Sequence, residues 1–211
     1  MIGIIDYGMG NLFSVSKALE RLEVDYIIGD HPDMLEDAQA LILPGVGAFP
    51  DAMKALKEHG FIKFIHKKIE EGVPFYGICL GMQLLFEASE EGGETEGLGI
   101  FPGTIRRFEG KTAEGKTYKV PHMGWNQLEI HKPDHFVMEN VGEEYVYFVH
   151  SYVVDTKDES ILLATADYHQ QVPAIVGKGN VMASQFHPEK SGRAGMQLLD
   201  NFCKRMALES R

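Results

Sequence analysis

Pro74-Phe75-Tyr76-Gly77-Ile78-Cys79-Leu80-Gly81 decides how this chain is built. An apolar run leads into a cysteine that has glycine two positions before it and two positions after it. This is the Gly-x-nucleophile-x-Gly elbow with cysteine in the place of serine. A strand turns into a helix here through a bend so tight that side chains at the two flanking positions would clash, and Gly77 and Gly81 remove the clash. In open α/β sheets ligands bind beyond the carboxyl ends of the strands, so the bend lifts the Cys79 sulfur into a site. It also sets the sulfur at a helix N-terminus, whose partial positive charge favours thiolate. A cysteine taken at random is more often a buried structural thiol. Cys203 is read that way, because it lies on an apolar helix stripe with no flanking glycines.

Upstream of the elbow, short apolar runs alternate with helical periods. Ile2–Ile5, Val24–Ile28, Ala40–Leu43 and Val73–Ile78 are predicted strands. Leu12, Val15, Leu19 and Leu22 recur at helical spacing. Met53 and Leu56, then Phe61, Phe64, Ile65, Lys68 and Ile69, mark two further helices that end at Gly72. Continuous apolar strands between amphipathic helices predict a mostly parallel open sheet flanked by helices. Downstream, Leu80–Ala88 is predicted to begin a helix and the Gly-rich stretch 92–103 to be a surface loop. Strands follow around 104–108, 117–120, 126–130, 145–149, 161–167, 173–177 and 181–186, some as additional antiparallel hairpins in the C-terminal half. A last helix over about 192–207 carries Leu198, Leu199, Phe202, Cys203 and Met206 on one stripe. With no repeat, low-complexity tract or linker, residues 1–211 are expected to form one domain.

A chain of 211 residues can bury a sizeable core as one unit. The net charge of −11 disfavours nucleic acid and anionic membrane surfaces as partners, since both need basic protein. No run approaches the roughly 18 apolar residues of a membrane span. Met1-Ile2-Gly3-Ile4-Ile5-Asp6 reads as a first core strand and not as a signal peptide, so a cytoplasmic location is expected. Two cysteines without a CxxC pattern make neither a disulfide scaffold nor a cysteine zinc site.

A cysteine nucleophile needs a base. Among nine histidines, His187 stands out because it follows the apolar run Val181–Phe186 in the sequence His187-Pro188-Glu189. In an extended segment residues two apart point to one side, so Glu189 can orient the imidazole while the other ring nitrogen faces Cys79. Pro188 stiffens the link. Pro44-Gly45-Val46-Gly47 also follows a core strand. Its two glycines allow close backbone approach, and its amides could stabilise an oxyanion together with the amide of Leu80. A dinucleotide loop is the competing reading, but the third glycine it requires is Pro50 after Gly45-x-Gly47 and Phe13 after Gly8-x-Gly10. No P-loop, HExxH or EF-hand pattern occurs, so neither metal nor other cofactor is expected.

Five segments together resemble the class I, or triad, glutamine amidotransferases over essentially the whole chain. They are Asp6-Tyr7-Gly8-Met9-Gly10-Asn11, Pro44-Gly45-Val46-Gly47, Gly77-Ile78-Cys79-Leu80-Gly81-Met82-Gln83, Pro121-His122-Met123-Gly124-Trp125-Asn126 and Gln185-Phe186-His187-Pro188-Glu189-Lys190-Ser191. The first, the fourth and Lys190-Ser191 are similar to the branch that feeds ammonia to a cyclase in histidine biosynthesis. The resemblance implies that Cys79, His187 and Glu189 hydrolyse glutamine through a thioester. It implies that Gln83, Ser151, Tyr152 and the backbone at Gly47 hold that glutamine. It also implies a heterodimer with a (β/α)₈-barrel cyclase, with Asn11, His122, Met123, Trp125, Tyr147 and Lys190 at the interface or its ammonia gate. Two alternatives stand beside it: the glutaminase of another class I amidotransferase, and a catalytically silent binding subunit.

Overall fold

The computed structural model describes residues 1–209, with side chains as far as Lys204. Strands β1 (Ile2–Ile5), β2 (Tyr26–Gly29), β3 (Ala40–Gly45) and β4 (Phe75–Cys79) alternate with α1 (Leu12–Arg21) and the pair α2 (Phe49–Glu58) and α3 (Phe61–Glu70). Beyond β4 come α4 (Leu80–Leu84), β5 (Phe86–Ser89), β6 (Thr95–Glu96), β7 (Phe101–Arg107), β8 (His122–Gln127) and β9 (Glu129–Ile130). The chain continues through β10 (Tyr145–His150), β11 (Tyr152–Asp155), β12 (Leu162–Asp167), β13 (Gln171–Lys178) and β14 (Val181–Ser184) to α5 (Gly192–Glu209).

The main sheet has the order β2-β1-β3-β4-β14-β13-β12-β9. Pairing is parallel from β2 through β14 and antiparallel from β14 to β9. Both faces of the parallel part are buried, which explains its unbroken apolar strands. Alternate residues feed two cores. Leu41, Leu43 and Phe75 pack with α2 and α3. Ala40, Ile42, Tyr76 and Ile78 pack with Val15 and Leu19 of α1 and with Leu198 and Phe202 of α5. Cys203 lies in the second core, where burial pushes its thiol up to about 12, an inert structural cysteine as expected. Met206, expected on the same stripe, has its side chain outside the described residues. Lys68, counted among the apolar positions of α3, is buried, and its ammonium bridges Glu36 at 3.0 Å and Glu71 at 3.2 Å.

Four local expectations change. The helix predicted from Leu80 to Ala88 stops at Leu84, because Phe86–Ser89 pairs with β7 and β6 in a four-stranded sheet ordered β11-β7-β5-β6. The stretch 92–103 is more than a surface loop: it contributes β6 and the start of β7, and buries Leu98 and Phe101. Residues 117–120 form no strand, and Thr117 makes only an isolated bridge to Lys111. The strand expected at 126–130 starts earlier, at His122, pairs with β10, and is separated from β9 at Leu128. Strand β11, not anticipated, pairs with β7.

Candidate active site

Cys79 ends β4 and begins α4 with φ 55° and ψ −110°, a backbone that β-carbon-bearing residues rarely adopt. The glycine argument holds atom by atom. A β-carbon on Gly77 would lie 2.7 Å from the Gly81 carbonyl oxygen, and one on Gly81 would lie 1.9 Å from the Leu43 carbonyl oxygen. Helix α4 has only 5 residues, so its dipole does less for the sulfur than the sequence suggested.

The His187 imidazole arrives from the next strand. Strand β14 runs parallel to β4 with Ser184 opposite Ile78, so the chain leaving β14 passes beside the elbow. Gln185 comes first, and its Nε2 lies 3.9 Å from the Cys79 sulfur. His187 follows, close enough to Cys79 for the sulfur to act on its ring, with Nδ1 2.9 Å from Glu189 Oε1. The His–Glu pairing is made by a 3-10 turn over Pro188–Lys190 and not by extended backbone as expected. The turn is braced by the Ser191 hydroxyl, which donates to the His187 carbonyl at 2.7 Å and accepts from the Tyr147 N–H at 3.1 Å. Burial alone would lower the His187 pKa. The hydrogen bonds and charges of Cys79 and Glu189 outweigh it and raise it from 6.5 to about 9. Glu189 Oε2 is buried with no hydrogen-bond partner among the described residues.

Cys79 and His187 open into a cavity of about 430 Å³. Val46, Gly47, Leu80, Gln83, Ser151, Tyr152 and Lys190 are among the residues that line it. Gly45 lies behind the wall, beside Cys79 in the β3–β4 register. Glu91, Pro121, Val149 and His150 also line the cavity and carry no local sequence signal for it. The Val46 N–H, one of the Pro44–Gly47 amides that could face an oxyanion, donates to the Met9 carbonyl at 3.0 Å. Gly47 beside it has φ 103°, so this peptide unit sits where glycine is needed.

Of the residues expected toward a partner, Met123 is 60% and Trp125 57% exposed. Tyr147 packs edge-on to Trp125 with ring centroids 5.8 Å apart. Asn11 is half-buried and caps α1, its Oδ1 accepting from the Ser14 N–H at 3.2 Å. Lys190 is exposed. His122 is the exception: at 2% exposure it faces the interior, because it alternates with Met123 along β8.

The family model for class-I glutamine amidotransferases matches residues 3–206. The chain belongs to that family, and it is a glutaminase enzyme. A glutamine amidotransferase crystal structure superposes with a TM-score of 0.75 at 25% identity, covering 98% of each chain. PurLQS from Thermotoga maritima shares the fold with a TM-score of 0.72 at 19% identity over 97% of each. More specifically, the chain is 58% identical over 202 residues to the imidazole glycerol phosphate synthase subunit HisH of Halalkalibacterium halodurans, covering 96% of this chain and 94% of that protein. It is 52% identical to the same subunit of Bacillus subtilis over 211 residues, covering 100% and 99%.

Proposed function

We propose that this chain is the glutaminase subunit of an imidazole glycerol phosphate synthase, acting as a single domain in the cytoplasm, and that Cys79, His187 and Glu189 carry the reaction. The observation behind the residue assignment is that Cys79 and His187 line one cavity while Glu189 Oε1 holds the His187 ring through Nδ1 at 2.9 Å. In this reading the thiolate attacks the side-chain amide carbon of glutamine. His187, held as imidazolium by its two neighbours, protonates the departing ammonia. The neutral ring then takes a proton from water as that water attacks the glutamyl thioester, and glutamate leaves. Gln83, Ser151 and Tyr152 hold the glutamine.

Ammonia released into neutral water becomes ammonium and loses its nucleophilicity, so a shielded handover is required. The exposed Met123 and Trp125, with half-buried Tyr147 packed against Trp125, suit a close protein partner, and the proposed partner is a (β/α)₈-barrel cyclase bound as a heterodimer. Asn11 and Lys190 belong to the same contact. The Val46 N–H bonded to Met9 represents an off state. Partner and nucleotide would turn the Gly45–Val46 peptide so that the Val46 N–H leaves Met9 and joins the Leu80 N–H in facing the oxyanion. One such donor is worth on the order of 3 kcal/mol of barrier.

The test is glutamine hydrolysis by the purified chain alone, with the cyclase, and with the cyclase plus its nucleotide ligand. Slow hydrolysis alone and at least about a hundredfold stimulation by both together is expected. Full activity alone would reject the switch, and no hydrolysis under any condition would favour a silent binding subunit.

A further inference from the structure

Two histidines outside the triad are buried side by side next to the cavity, and nothing in the proposed chemistry uses them. We infer that His122 and His150 are positioning residues for glutamine: as a pair locked in one tautomer, they hold the Tyr152 carbonyl that in turn fixes the Gln83 side-chain amide. This rests on the reading that Gln83 meets the substrate.

The direction of every hydrogen bond in this chain follows from a single carbonyl. His150 Nδ1 lies 2.7 Å from the Tyr152 oxygen, which can only accept, so Nδ1 carries the proton. Burial pushes His150 down to about 3 and His122 down to about 4, so both rings are neutral near pH 7. His150 Nε2 is therefore bare and accepts from His122 Nδ1–H at 2.9 Å. His122 Nε2 must then be bare as well, and it faces the Asn126 amide nitrogen at 3.3 Å. Asn126 is oriented independently: Nδ2 donates to the Asp167 carbonyl at 2.7 Å, and Oδ1 accepts from the Gln127 N–H at 2.8 Å. Both ends of the chain agree on its direction.

The Tyr152 carbonyl passes this order into the cavity. It also accepts from Gln83 Nε2 at 3.2 Å, and the second hydrogen of that nitrogen goes to Gln185 Oε1 at 3.0 Å. With both amide hydrogens committed, Gln83 has only Oε1 left to offer a ligand. Gln185 in turn reaches the Cys79 sulfur. The rings cannot swing to break the chain, because His122 is stacked on both Phe148 and Tyr168 at centroid distances of 4.4 and 4.0 Å. Two phenylalanines would fill this space without polar atoms to satisfy. What the imidazoles add is a donor held at a fixed point.

The first test uses the wild-type chain labelled with ¹⁵N-histidine. Nitrogen shifts should place both His122 and His150 in the neutral Nδ1–H form from about pH 5 to about pH 8. An Nε2–H form at either overturns the inference. The second test measures glutamine hydrolysis in the complex with the cyclase. His122→Phe keeps the stacking and donates nothing, whereas His122→Asn keeps a donor near the Nδ1 position. His122→Phe should raise the glutamine KM about tenfold with kcat within about twofold, and His122→Asn should recover most of the loss. An unchanged KM in His122→Phe, or equal impairment in both variants, overturns the inference and leaves the proposed function standing. A wild-type complex that never hydrolyses glutamine overturns both.

Discussion

Removing the Cys79 sulfur should collapse the basicity of His187. The ring is buried, and burial is the largest influence on it, acting to lower its pKa; Cys79 and Glu189 together reverse that and raise it from 6.5 to about 9. At about 1.4 kcal/mol per pH unit, the net shift corresponds to roughly 3 kcal/mol favouring imidazolium. In Cys79→Ala only Glu189 opposes burial, so the ring should titrate at its ordinary value or below. The assay is an NMR titration of the His187 ring in wild type and variant. The folded-state value lies above the unfolded one, so protonation and folding favour each other. His187's contribution to stability is full below pH 6.5 and is lost as the pH rises through about 9. Glutaminase activity should share that alkaline limb, because the imidazolium is the acid for ammonia departure, and Glu189→Gln should move the limb to lower pH. A wild-type ring titrating at or below 6.5, or an unchanged ring in Cys79→Ala, would refute the ion-pair reasoning.

Cys79→Ala should lose glutamine hydrolysis by at least about 10³-fold while its complex still uses supplied ammonia; loss of both activities would contradict separate sites. Gly81→Ala would drive a β-carbon to 1.9 Å from the Leu43 carbonyl oxygen. A cost of about 3 kcal/mol or more, read as a fall in Tm of roughly 6–12 °C, is expected. Gly47→Ala strains a residue at φ 103° and meets the Met9 methyl at 2.8 Å. It should reduce partner-stimulated turnover about tenfold and leave basal turnover within about twofold, as measured by glutamate release.

The parallel core and the elbow were legible because local chemistry and tertiary structure demand the same residues there. Gly77 and Gly81 have no substitute at a bend of that geometry, and strands buried on both faces must be apolar throughout. Glu189 was found through its spacing from His187, although the backbone that joins them is a turn. Gln83, Ser151 and Tyr152 were reached only through family resemblance, since a glutamine on a short helix and two residues after a strand carry no periodic signal. Gln185 and His150 were missed for the same reason: their roles come from the pairing of β14 with β4 and from the packing of β8 on β10. Phe86–Ser89 was misread because its apolar run continues from a helix, and only its distant partners β7 and β6 make it a strand. His122 was grouped with Met123 and Trp125 at the interface or gate because the motif was read as one unit, whereas a strand has two faces and His122 lies on the buried one.

The insertion of β14 between β4 and β13 has a consequence for the chain while it is being made. The sulfur sits in the first half and the imidazole near the end, and no local segment contains both. A ribosome must release nearly everything up to the turn at Pro188–Lys190 before the two can meet, and that late strand must enter the middle of a sheet and not its edge. Such long-range pairing is slow to form. A nascent or truncated chain therefore carries the thiol without its base and consumes no glutamine. Until β14 is in place, β4 presents an open, apolar parallel edge that invites pairing with other chains. Aggregation of truncated forms and the onset of activity should thus be governed by the same event, the docking of one four-residue strand.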